Sequence, residues 1–140
     1  MTISGLGYFA LDTAESQKWH ELLSEVLGMA AEAADGVTFY RLDEWHHRIA
    51  VYDAEVESVR AVGWQLEDES ALNEMAESIR RYGVHVEPLS DALCAERKVT
   101  AGHHFIDPVS EMPTEIFYGP VYEQLPFTPS RGISGYWTGE

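Results

Sequence analysis

The feature that most constrains the fold of this chain is that it repeats itself. Gly5-Leu6-Gly7-Tyr8-Phe9-Ala10-Leu11 reads as a strand, and Val62-Gly63-Trp64-Gln65-Leu66 reads as its counterpart. Each is followed by an apolar stripe at helical spacing: Trp19, Leu22, Leu23, Val26 and Leu27 in the first half, Leu72, Met75, Ile79 and Tyr82 in the second. Each stripe ends at a glycine placed for a left-handed cap, Gly28 and Gly83. Tyr8 aligns with Gly63, and Gly28 with Gly83, at one and the same offset. A period of this length means two copies of one supersecondary unit.

Three strands are expected after the first helix, around 29–34, 38–42 and 47–52. Asp35-Gly36 turns the first of them into the second. Three more are expected after the second helix, at 84–87, 99–106 and 115–118. The order βαβββ, twice over, predicts an α+β fold of two tandem modules, 3–58 and 59–120, within one domain of 1–120. Trp19, Trp64, Phe9 and Leu66 are the expected helix–sheet core, because large apolar side chains contribute most when buried. From 121 to 140, Pro126, Pro129, Gly132 and Gly135 among aromatics predict an extended linker.

Charge and composition narrow the function classes. Nine basic residues against 24 acidic ones give a net charge of −15, which disfavours phosphate backbones and anionic lipid as partners. The 140 residues suffice for one domain with a real core. A single cysteine, Cys94, excludes an internal disulfide and a thiolate-rich metal site, and with no flanking base it reads as an ordinary thiol. Neither a leader nor a bilayer-length apolar run is evident, so a soluble cytoplasmic protein is expected. Phosphate loops, nucleophile elbows and zinc spacings are missing.

The chemistry-bearing residues gather in 102–120. Two apolar runs flank a turn carrying Asp107, Pro108 and Pro113, and on the second run Glu115 and Phe117 share one face while Ile116 and Tyr118 share the other. Glu115 is then a carboxylate among apolar neighbours: a metal ligand or, preferably, a carboxylate hydrogen-bonded in the sheet cleft or solvated at its mouth. Tyr8, Gln65, Glu115 and Phe117 either line a small-molecule pocket on that face or simply fill it. His46-His47 and His103-His104 look like metal doublets. Strand neighbours point to opposite faces, so at most one of each could face a common ion, His47 and His103 with Glu115. Surface or capping roles are the simpler reading. His20, beside the first stripe, is a boundary residue.

The duplicated βαβββ unit, Gly5-Leu6-Gly7-Tyr8 on the first strand, Phe105-Ile106-Asp107-Pro108, and Glu115-Ile116-Phe117-Tyr118-Gly119 together resemble the vicinal oxygen chelate superfamily. Within it the chain is most similar to the N-terminal domain of two-domain extradiol catechol dioxygenases, such as the 2,3-dihydroxybiphenyl dioxygenases. Ile133-Ser134-Gly135-Tyr136-Trp137-Thr138-Gly139-Glu140 resembles the segment that leads into the second domain, and the expectation is a domain cut from a longer enzyme. The turn Ser110-Glu111-Met112-Pro113 departs from the family's shorter, glycine-containing version.

The resemblance implies a parent reaction that inserts both atoms of O2 into a catechol beside one hydroxyl-bearing carbon. It implies Fe(II), sometimes Mn(II), on two histidines and a glutamate of the C-terminal domain, a set that leaves open positions for catecholate and O2. Carried onto this chain, the three ligand positions are Tyr8, Gly63 and Glu115, of which only the carboxylate is a ligand. The expectation is a scaffold domain with no catalytic residue, metal or cofactor of its own, inactive alone, partnered by the catalytic domain and by further copies. Two alternatives stay open: a stand-alone glyoxalase-like enzyme completing its metal sites in a homodimer, and a metal-free protein resembling the bleomycin-resistance members, whose acidic dimer groove sequesters a cationic ligand.

Overall fold

The structure is a computed structural model and describes residues 2–129. The segment 133–140 singled out above lies outside the described residues. In chain order the elements are β1 (Ile3–Thr13), α1 (Ser16–His20) continued by a π-helical segment (Glu21–Val26), β2 (Ala30–Ala34), β3 (Val37–Arg41) and β4 (Ile49–Asp53). There follow β5 (Ser58–Leu66), α2 (Glu69–Arg81), β6 (Glu87–Pro88), α3 (Asp91–Arg97), β7 (Val99–Ile106) and β8 (Pro113–Pro120). The fold is α+β: the first half runs β-α-β-β-β, and the second keeps that strand order with α3 inserted between β6 and β7.

The chain groups into two compact units. One, here the Glu115 unit, comprises residues 1–8 and 59–121; the other, the Tyr40 unit, comprises Phe9–Ser58 and the described residues from Tyr122 onward. In the Tyr40 unit the strand order is β2-β3-β4-β1, with β1 parallel to β4 and the other pairs antiparallel. In the Glu115 unit β1 is followed by β5-β8-β7-β6, with β5 parallel to β8 and the β8–β7 and β7–β6 pairs antiparallel. Each copy thus sets its first strand beside its last. A parallel pair needs a long crossover, and the helix of each copy lies within it.

Local signals account for the turns. Gly36, at φ +74°, closes the β2–β3 hairpin, where Ala34 faces Val37. Gly28 and Gly83 have φ of +79° and +99°, so both helices end as the repeat predicts. At the β7–β8 turn the Asp107 carboxylate accepts the N–H groups of Val109 (2.7 Å) and Ser110 (3.2 Å), which holds its pKa below the usual carboxylate range.

The two helices differ from each other more than their sequences suggest. Asp68 caps α2, its side chain accepting the Ala71 N–H at 2.8 Å. One face of α2 then buries Leu72 and Ala76 against Leu66, Val86 and Ile116, with Trp64, Met75 and Ile79 packed around them. Complete burial contributes about 1.5–3 kcal/mol per leucine, so this cluster is a main source of the unit's cohesion. The first helix departs from expectation: of its five stripe residues only Leu23 is buried, Trp19 is partly covered, and Leu22, Val26 and Leu27 are exposed. The cause is the π-helical segment, where the Leu27 N–H reaches the Leu22 carbonyl five residues back. A wider turn puts residues after Glu21 out of phase with a 3.6-residue stripe.

Three further expectations need correcting. Phe9 is 38% exposed although placed in the core, because β1 buries the side carrying Tyr8 and Ala10. Leu66 is fully buried, but Trp64 and Trp19 are only partly so. The strand expected at 84–87 shrinks to Glu87–Pro88, and α3 follows where no helix was expected. Ser90 caps α3 through the Leu93 N–H at 3.1 Å. Its seven residues are too few to show a helical period.

Candidate functional site

The Glu115 unit brings Tyr8, Gly63, Glu115 and Phe117 together. Gly63 pairs with Glu115 and Gln65 with Phe117 across the parallel β5–β8 ladder, so all four lie on one face. Tyr8 comes in from β1: its ring stacks on Phe117 with centroids 5.0 Å apart, and its hydroxyl donates to Glu115 Oε1 at 2.5 Å. Gly63 makes room for this ring. A Cβ there would fall 2.4 Å from the Tyr8 ring carbons. The bare position and the aromatic one fit each other.

A further participant was not apparent from the sequence. Arg97, at the end of α3, donates from Nε to Glu115 Oε1 at 2.8 Å and from Nη2 to Oε2 at 3.2 Å. Glu115 and Arg97 are each 5% exposed, and Tyr8 2%. This is a buried, forked ion pair with a phenol hydrogen-bonded to it. Such geometry is what offsets the large cost of desolvating two charges. Burial first, then the Glu115 charge and hydrogen bond, push the Tyr8 pKa well above its ordinary value, so the phenol remains a neutral donor. A signal for Arg97 did exist: it is a basic residue seven positions after Ser90, a good N-cap, but it becomes meaningful only once α3 is known.

The other singled-out residues do not join this cluster. His103 pairs with Ile116 and therefore shares the opposite face of the sheet, while His104 pairs with Glu115 but is exposed, 3.7 Å from Glu87 Oε2. The His103 pKa is lowered by burial and by the charge of Arg80 on α2. Glu87 also accepts from His85 at 2.8 Å, a surface cluster not foreseen from sequence. In the Tyr40 unit, His46 and His47 face each other through their Nδ1 atoms at 2.9 Å, and His46 Nε2 lies 3.4 Å from Glu32. His20 meets the Tyr40 hydroxyl at 3.1 Å. Cys94 is buried on α3, and burial pushes its thiol pKa up, which disfavours the reactive thiolate. Among the described residues no three His, Cys, Asp or Glu side chains converge as metal donors.

Two βαβββ copies, each with its first strand parallel to its last, define the vicinal oxygen chelate class of fold. Comparison with known proteins makes the assignment narrower. Residues 6–53 match the family described as dihydroxybiphenyl dioxygenase BphC D1. The chain is 35% identical over 137 residues to a 1,2-dihydroxynaphthalene dioxygenase of Sphingobium xenophagum, covering 96% of this chain and 46% of the relative. It is 34% identical over 143 residues to a biphenyl-2,3-diol 1,2-dioxygenase of Paraburkholderia xenovorans (strain LB400), covering 100% of this chain and 47% of the relative. A solved catechol 2,3-dioxygenase superposes with a TM-score of 0.92 at 32% identity, over 100% of this chain and 50% of that one. BphC, a halotolerant catechol dioxygenase, gives 0.91 at 30% identity over 99% and 47%. The chain is thus similar in sequence and fold to extradiol dioxygenases, and fits the N-terminal domain of their two-domain members. It spans about half the length of the curated relatives it matches.

Proposed function

We propose that this chain is the non-catalytic N-terminal scaffold of an extradiol ring-cleavage dioxygenase that acts in aromatic-compound degradation in the cytoplasm. The reaction belongs to a C-terminal catalytic domain carrying Fe(II), against which this domain packs, and segment 121–140 leads toward it. The modules are 3–58 and 59–120, and the whole enzyme is a homo-oligomer. In this reading Tyr8, Gly63 and Glu115 occupy the places that hold the metal in the catalytic domain. One observation carries it: both oxygens of Glu115, the lone ligand-type side chain of the three, are already held by Arg97, and the Tyr8 phenol holds one of them too.

A divalent metal does not fit this donor set. A neutral phenol is a poor ligand beside imidazole, glycine offers none, and a guanidinium on the carboxylate repels a second cation. The parts of this chain therefore position and pack, and Tyr8 and Phe117 fill the face where a pocket would otherwise open.

The test is metal analysis of anaerobically purified protein together with catechol turnover. The expected result is no retained iron and no yellow ring-fission product. Stoichiometric Fe(II) with ring fission by this chain alone would sink the reading, and would revive the stand-alone enzyme. Tight uptake of a cationic glycopeptide would instead favour a binding protein, the reading to which the net charge of −15 lends support.

A further inference from the structure

We infer that Arg97 is a built-in cation that keeps Glu115 closed to divalent metal, so that the cleft departs from the metal site its fold implies; this rests on the scaffold reading above. Glu115 is buried on a strand of apolar neighbours, where an ionised carboxylate needs a charge partner. The forked contact from Arg97 supplies that partner, at 2.8 Å to Oε1 and 3.2 Å to Oε2. Tyr8 adds a neutral donor at 2.5 Å. Both oxygens are thus occupied from within the chain.

Among the described residues Arg97 also has Glu96 within ion-pair reach, 3.5 Å from Nη1 and exposed. Glu96 is too solvated to hold the guanidinium away from Glu115. An incoming dication must displace Arg97 from the buried carboxylate or sit beside it. Supplying better donors at Tyr8 and Gly63 does not remove that obstacle. The inference is therefore about charge as well as missing ligands.

The decisive experiment is a Co(II) titration of metal-free protein, read by visible absorption, in three forms. These are the wild type, Tyr8→His with Gly63→His, and that pair combined with Arg97→Met. Like charges at close range shift an equilibrium by about one to three powers of ten, so the triple variant should bind about 10–1,000-fold more tightly than the double, with no Co(II) spectrum in the wild type. Equal affinity in the two variants, or no binding in either, overturns the role of Arg97. A Co(II) spectrum in the wild type also overturns it, whereas the scaffold reading is tested separately and falls if the Fe(II)-loaded chain opens a catechol ring.

Thermal unfolding gives a second readout should the histidine variants fail to fold. Arg97→Met and Glu115→Gln each strand a buried partner, so the combined variant should melt above both singles. Melting at or below either single overturns the inference.

Discussion

The two helices that follow the first strand of each copy show how one sequence pattern can yield two kinds of packing. In the Glu115 unit, α2 is capped by Asp68 and runs 13 residues with its apolar face inside a cluster around Leu66 and Ile116. In the Tyr40 unit the corresponding helix has no side-chain cap at Glu15, and after five residues it widens into a π-helical segment. Its core contribution reduces to Leu23, which packs with Tyr40 and Val51, and to the partly buried Trp19 beside them. The difference teaches that an apolar stripe is buried only where the helix keeps the period in which the stripe was written.

The same contrast extends to the polar interior. The Glu115 unit closes its sheet face with a charge pair, whereas in the Tyr40 unit the corresponding polar residues include the His46–His47 contact and the Arg48–Asp43 pair beside Trp45. Only the first is buried on both partners.

The strongest way to test this difference is to break the buried pair. Glu115→Leu strands Arg97 in the interior and should cost about 3–5 kcal/mol in urea unfolding. Should the loss fall within the ordinary surface range, the pair is not what holds that face. The helix contrast itself is sharpened by truncating one leucine on each side. Leu72→Ala should lower stability by about 2–5 kcal/mol, while Leu22→Ala, 46% exposed, should stay within about 0.5 kcal/mol. Equal effects would mean that the exposed face of the first helix is covered in solution.

Gly63→Ala probes the fit between the bare position and the ring. Its Cβ would collide with Tyr8, which should cost about 1–3 kcal/mol. Combining it with Tyr8→Leu should recover part of that loss, and thermal melts of the three variants read the coupling directly. A further test is alkaline. The Tyr8 pKa is raised in the folded state by burial and by Glu115, so the unfolded chain gives up this proton first. The stability it contributes is complete below the ordinary value of 10.0 and is lost as pH rises from there through the higher folded value. Phenolate absorbance should show Tyr8 titrating late, along with Tyr40, whose pKa burial also raises. Tyr8→Phe should remove the first of these components.

Much of the architecture was legible beforehand. The repeat set by Tyr8 with Gly63 and Gly28 with Gly83 appears as matching strand schemes and matching glycine caps. Asp35-Gly36 turned where expected, and Glu115 and Phe117 share a face as a period of two requires. Phe9 and the first helical stripe misled, since strand alternation says which residues share a face but not which face is covered. The π-helical segment has no signature in hydrophobic spacing at all. At the candidate site, Tyr8, Gly63 and Glu115 could be named as a set, but Arg97 could not.

Periodicity, turn residues and glycine placement are local properties, carried by neighbours a few positions apart, and they determined the duplicated βαβββ plan and the positions of its caps. Whether Glu115 would be a ligand or half of an ion pair depended on groups 18 and 107 residues away, Arg97 and Tyr8. A carboxylate's role is set by the charges and donors within a few ångströms of it, and that neighbourhood exists only once the strands and α3 have packed.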